Sequence, residues 1–149
     1  MSLDPFDSTL LIARLATSTL LKSVEGSAEL ATAMAAPNPR TPSGYVMLAS
    51  ERGDGFFGTS EPFVQRSNTQ VEVAFCVRNY KVSELGMQAK DSLRNILIEA
   101  RALIVGWIPP VDGFTGFSFL GGRVESYTNA NLWWVEAYGT NNITRVIPQ

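Results

Sequence analysis

Three carboxylates in the last third of the chain, Asp112, Glu125 and Glu136, are the residues whose type could do acid–base chemistry. Two carboxyls in unlike environments can divide into a proton donor and a proton acceptor. The partners that other chemistries need are missing. The 149 residues include no histidine, which removes Ser-His and Cys-His activation, imidazole metal ligands and the commonest general base. A lone cysteine, Cys76, allows neither an internal disulfide nor a thiolate zinc site. Within Phe75-Cys76-Val77 it reads as a small buried hydrophobe, and its isolation fits a reducing compartment. Gly53-Asp54-Gly55-Phe56-Phe57-Gly58 spells G-x-G-x-x-G. That motif holds a pyrophosphate only when a helix N-terminus follows at once. Here Thr59-Ser60-Glu61-Pro62 follows, and Asp54 sets a negative charge where phosphate would sit. No cofactor is expected, and the carboxylates read as members of solvated strand faces.

The elements that would position these residues are legible from periodicity. Asp4 and Pro5 suit the start of a first helix carrying the stripe Leu11, Ile12 and Leu15; the Thr17-Ser18-Thr19 run weakens it, with an end expected near Leu20 or Leu21. A short extended piece at 22–26 precedes a second, alanine-rich helix at 27–36 with Ser27 as cap. Pro37, Pro39, Pro42 and Gly44 make a loop. A strand is expected at 45–51, a glycine-rich loop at 53–62 (53–66 at its widest), and a strand at 69–78. In that strand Val71, Val73, Phe75 and Val77 alternate with Glu72 and Arg78.

The main helix is expected at 83–105, with Leu85, Ala89, Leu93, Ile96, Ala100, Leu103 and Trp107 on one face and Lys90, Arg94 and Arg101 on another. Pro109-Pro110 stops it. Strands at 117–127 and 132–140 form a hairpin, bent at Gly121-Gly122, before an extended tail at 141–149. The order helix, strand, strand, long helix, strand, strand gives an α+β fold: a twisted, mostly antiparallel (mixed) sheet of about four to five strands with two main helices packed on one face. One domain over 1–149 is expected from the length.

The charge balance narrows the partners. A net charge of −2 lacks the basic surplus of proteins that grip nucleic acid through phosphates. No basic, apolar leader opens the sequence and no 18-residue apolar window occurs, so neither a signal peptide nor a membrane span is expected. Several residues instead suggest contacts with other proteins. Phe56 and Phe57 stand side by side in a loop, and exposed aromatics often anchor a partner. Lys90, Arg94 and Arg101 make a basic strip. Trp133 and Trp134 are adjacent on a strand and must point to opposite faces, so one is expected in the core and the other under a neighbour, whether of the same chain or another subunit.

The strand at 71–78, the helix at 85–105, its Gly106-Trp107-Ile108-Pro109 ending and the hairpin with Leu132-Trp133-Trp134 resemble the phage minor tail protein family of Mu-like prophages. Ile12-Ala13-Arg14-Leu15, the alanine-rich 28–36 stretch and the proline loop before Tyr45-Val46 are similar too. The stretch 53–66 matches no pattern of that family. The resemblance implies a tail terminator or tail-completion protein of the lambda-type terminator fold, without catalytic residues. It also implies a homohexameric ring that caps the head-proximal end of the tail tube and joins the head–tail connector, with DNA only passing through the lumen. Such a protein would assemble in the bacterial host cytoplasm and reside in the virion. Weak negative charge suits a passage that DNA must cross without sticking, and surplus aromatics suit a head-to-tail interface. Two alternatives carry less weight: another neck or head-completion adaptor and, remotely, a small carboxylate-dependent enzyme.

Overall fold

The computed structural model of the chain describes residues 4–57, 63–78, 85–128 and 130–146. Three helices, α1 (Ser8–Leu15), α2 (Ser27–Ala35) and α3 (Leu85–Ile104), accompany five strands. The strands are β1 (Ser23–Gly26), β2 (Ser43–Phe57), β3 (Phe63–Arg78), β4 (Ser118–Thr128) and β5 (Asn131–Val146). They form one sheet in the order β1-β2-β3-β5-β4, antiparallel except for the β1–β2 pair. The expected α+β architecture with a mixed sheet is therefore present.

Alternation along β3 separates the two faces. Val71, Val73, Phe75 and Val77 are buried with Leu11 and Leu15 of α1 and with Leu93, Ile96, Leu97, Ala100 and Ile104 of α3. Each of these side chains larger than alanine contributes on the order of 1.5–3 kcal/mol by leaving water. On the reverse face, Tyr45, Ala74, Cys76, Trp133 and Val135 form a smaller cluster partly covered by Leu30 and Ala33 of α2. The two main helices thus share one face, and the short helix partly covers the other. Burial raises the Cys76 thiol to about 12, which keeps it in the unreactive protonated form.

Several boundaries differ from expectation, each for a local reason. Asp7, not Asp4, caps α1: its carboxylate accepts from the Thr9 backbone N–H at 3.0 Å. The helix then stops at Leu15, because Thr17 turns its hydroxyl onto the Arg14 carbonyl at 2.7 Å and Ser18 and Thr19 turn theirs onto Glu99 of α3. Gly26 occupies the α2 cap position, and Ser27 is the first helical residue. Residue 83, the expected start of the main helix, lies outside the described residues.

The largest departure concerns the stretches expected as a loop at 53–66 and a tail at 141–149. β2 continues to Phe57, β3 begins at Phe63, and β5 runs on to Val146; β3 and β5 pair without a shift, and β2 pairs with β3 through a bulge between Gly53 and Phe56. Polar side chains hid this extension. Asn142 and Thr144 of the extension are buried, Thr144 Oγ1 donating to Asn142 Oδ1 (2.7 Å), and at its border Thr69 and Thr140 are buried as well, Thr140 Oγ1 donating to the Thr115 carbonyl (2.6 Å). The segment after α3 closes this region by pairing with β5, through Thr115 N–H to the Asn141 carbonyl and Ile143 N–H to the Gly113 carbonyl.

The turn after α1 is tied to α3 by Glu99, which accepts from the Ser18 hydroxyl, the Thr19 N–H at 3.0 Å and the Thr19 hydroxyl at 2.5 Å. The Ser18 hydroxyl first, then that of Thr19, holds this carboxyl below its ordinary value of 4.5. A depressed carboxyl contributes stability that is complete above the unfolded value and lost as pH falls through the folded one. Denaturation of Glu99→Gln alongside the parent chain is therefore expected to show a stability gap that is widest near neutral pH. The gap closes as pH drops below about 4.5. A gap that persists unchanged at pH 3 would refute the tie's ionic character.

Candidate assembly surface

The three carboxylates that could have done chemistry are not brought together. Asp112 is exposed in the segment after α3, beside a small cleft it shares with Asp4, Phe6 and Asp7. Glu125 is exposed on β4, 3.2 Å from Arg123, which also reaches Glu72 on the reverse face of the sheet. Glu136 alone is buried, with no solvent exposure, on the face under α3.

Glu136 is held by four donors. Arg101 approaches bidentately, Nε to Oε1 at 2.9 Å and Nη2 to Oε2 at 2.5 Å. Tyr138 donates its hydroxyl to Oε1 at 2.7 Å and Trp134 its indole N–H to Oε2 at 3.1 Å. A carboxylate offers about four lone-pair sites, so all are occupied and none is open to a substrate proton. Strand periodicity supplies the alignment: residues 134, 136 and 138 of β5 share a face, and α3 delivers Arg101 from above. The guanidinium also lies 4.5 Å over the Phe119 ring, whose edge meets Tyr138. The Glu136 bond raises the Arg101 value, whereas burial first and that bond second raise the Tyr138 phenol. The site is a clamp that fixes helix to sheet.

Of the expected contact residues, Arg101 thus turns inward, although its side chain keeps 42% exposure. Arg94 is exposed about two turns earlier on α3. Lys90, Phe56 and Phe57 belong to α3 and β2, but their side chains lie outside the described residues. The tryptophans do point to opposite faces, and both are covered within the chain. Trp133 is 3% exposed beside Tyr45 and α2; Trp134 is half-buried against the main core. Trp107 also packs on the main core, stacked on Phe117 and beneath Arg14.

What the sequence did not reveal is a flank where the clamp reaches solvent. Leu93, Arg94, Leu97, Ile98 and Arg101 of α3 and Trp134 of β5 line a groove of about 430 Å³ on the side of α3 toward the β4 edge. Ile98 of α3 and, beside the groove, Val124 of β4 are more than half exposed, and Phe119 and Tyr127 follow along β4, whereas Leu120 turns to the reverse face against Gly139. β4 is an edge of the sheet, so its outer backbone groups have no strand partner among the described residues. The helical pattern alone could mark Ile98 as off the buried stripe. That β4 forms the edge beside it could not be read from spacing.

Two substitutions probe the clamp. A Cβ added at Gly122 would lie 2.7 Å from Trp134 Cζ2 and 2.8 Å from Glu136 Oε2, atoms locked by their hydrogen bonds. Gly122→Ala is expected to destabilise the fold by about 1–3 kcal/mol in chemical denaturation. Arg101→Met leaves a buried carboxylate without its cation and is expected to cost about 3 kcal/mol, whereas adding Glu136→Leu recovers most of that loss. Equal loss in the single and double variants would show that the ion pair is not what matters.

No curated protein matches the chain. Among solved structures, a chain from the virion of a native gene transfer agent particle is 13% identical over 93% of this chain and 87% of that one. Its TM-score of 0.44 is too low to bear on function. The family model for the phage tail terminator protein matches residues 1–148. With a match over nearly the whole sequence, the chain belongs to the phage tail terminator family and is a structural component of the virion.

Proposed function

We propose that this chain is the subunit of a homohexameric ring that caps the head-proximal end of a phage tail tube, ends tube growth and joins the tail to the head–tail connector. The observation that carries this reading is the family match across residues 1–148. The physical chemistry supports it. The buried carboxylate is saturated with donors, so it serves packing and not proton transfer. The exposed apolar side chains on the α3–β4 flank are the kind of surface that associating proteins cover.

In this reading the ring works by shape and contact. The long β2–β3 arms, with Phe56 and Phe57 at the end of β2, extend beyond the pairing range of β1 and β4 and meet the tube or the connector. The strip of Lys90, Arg94 and Arg101 and the half-buried Trp134 face a neighbouring subunit. Trp133 contributes from beneath by stiffening the sheet. DNA crosses the lumen without being bound, in keeping with the net charge of −2. Assembly takes place in the cytoplasm of the bacterial host, and the product stays in the virion between tail and head.

The test is a phage particle preparation lacking this protein. Electron microscopy is expected to show tubes of irregular, excessive length that fail to join filled heads, and adding back the purified chain restores both properties. Tubes of normal length already joined to heads would overturn the proposal.

A further inference from the structure

We propose that copies of this chain join head to tail at the end of the sheet where β2 and β5 finish, the arginine-bearing reverse face of one copy against the aspartate-bearing face of the next. This rests on the ring reading above and names the surfaces that would build it. A head-to-tail contact needs two different, complementary patches on separate sides of one subunit. β5 places both at one level, because consecutive strand residues point to opposite faces. Asn141 lines a cleft of about 240 Å³ on the reverse face, and Asn142 lines one of about 180 Å³ on the face that carries α1 and α3.

The two patches carry opposite charge. On the reverse face, Arg52 of β2 stands opposite Asn68 of β3, Arg66 lies two residues before Asn68, and Arg145 of β5 stands opposite Val64. These three exposed arginines make a diagonal row across neighbouring strands, with steps of about 8 Å. Arg52 and Asn68 wall the first cleft, whose floor is left open at Gly139. Among the described residues no carboxylate shares this face until Glu72, which Arg123 already reaches; the side chains of Asp54 and Glu61 lie outside them. On the other face, Asp4, Asp7 and Asp112 line the second cleft with Val111 and Phe114, and no described lysine or arginine does. Each patch also holds an exposed aliphatic side chain: Ile143 opposite Arg66, and Val111 beside Asp112. A chain of net charge −2 thus separates its charges across one end of the sheet. A second copy satisfies both patches at once, whereas a nucleic acid would satisfy only the arginines. Complementary charge of this kind sets the register and suppresses wrong pairings more than it adds affinity.

Charge reversal in the full-length chain tests the seam, read by native mass spectrometry of the concentrated protein and by the copy number of the chain in purified tails. Arg52→Glu combined with Arg145→Glu is expected to abolish the hexamer, and so is Asp4→Arg combined with Asp112→Arg. All four side chains are exposed, so each variant is expected to keep the parent's denaturation midpoint. Mixing the two variants is expected to restore hexamers that hold both in equal number, because every contact then joins opposite charges again. Combining all four substitutions in one chain is expected to restore the hexamer as well. Hexamers untouched by either reversal would overturn the seam but leave the ring standing, and so would a loss that neither mixing nor combination repairs. A short DNA duplex retarded by the parent and not by the arginine variant, with hexamers intact in both, would assign the arginines to nucleic acid and overturn the inference. Tails that contain only one copy of the chain would overturn both the seam and the ring.

Discussion

A carboxylate removed from water must be neutralised and fully hydrogen-bonded, and Glu136 imposes that demand where α3, β4 and β5 converge. Its needs dictate the surroundings. Arg101 must come down from the helix, Trp134 and Tyr138 must flank it on the same strand face, and the residue opposite on β4 must be glycine. Such a clamp adds little net stability over a well-packed apolar alternative, but it tolerates few arrangements of helix against sheet. For the ring subunit proposed above, a defined helix position is the useful outcome.

The same interaction connects core to surface. Arg101 spans the boundary, with its guanidinium against Glu136 and part of its side chain in solvent. The groove beside it inherits that rigidity. Two residues further along the same C-terminal turn of α3, Arg14 donates to the Leu103 carbonyl at 3.0 Å and lies over Trp107, so this end of the helix is held to both the sheet and the first helix. Burial of Val71, Val73 and Phe75 supplies the bulk of the driving force. The polar ties choose among the packings that such burial would allow.

The resemblance in the primary structure and the family match agree on a tail terminator, a protein class defined by assembly. The physical reading is consistent with it. Acidic groups are dispersed, capped or saturated, while several exposed apolar side chains, Phe119, Val124 and Tyr127 among them, lie on the edge strand β4. That distribution suits a part whose output is contact geometry.

Periodicity determined much by itself. The β3 alternation of Val71, Val73, Phe75 and Val77 and the α3 stripe through Leu93, Ile96 and Ala100 are one-dimensional consequences of which faces lose water, and both occur as expected. The opposite orientations of Trp133 and Trp134 follow from strand geometry alone, as does the irregular pairing at Gly121. The extension of β2, β3 and β5 was not legible, because Gly53, Asp54 and Gly55 interrupt β2 and polar residues such as Gln65, Ser67, Asn142 and Thr144 dominate β3 and β5, where pairing depends on partners distant in sequence. Neither was the fate of the tryptophans: α2 and the main core cover them, and only packing decides which helix lies on which face. Glu136 is the sharpest case. As a letter in the chain it looks like any carboxylate on a strand. Tertiary structure alone brings Arg101, 35 residues earlier, onto it and turns a potential acid into a structural anchor.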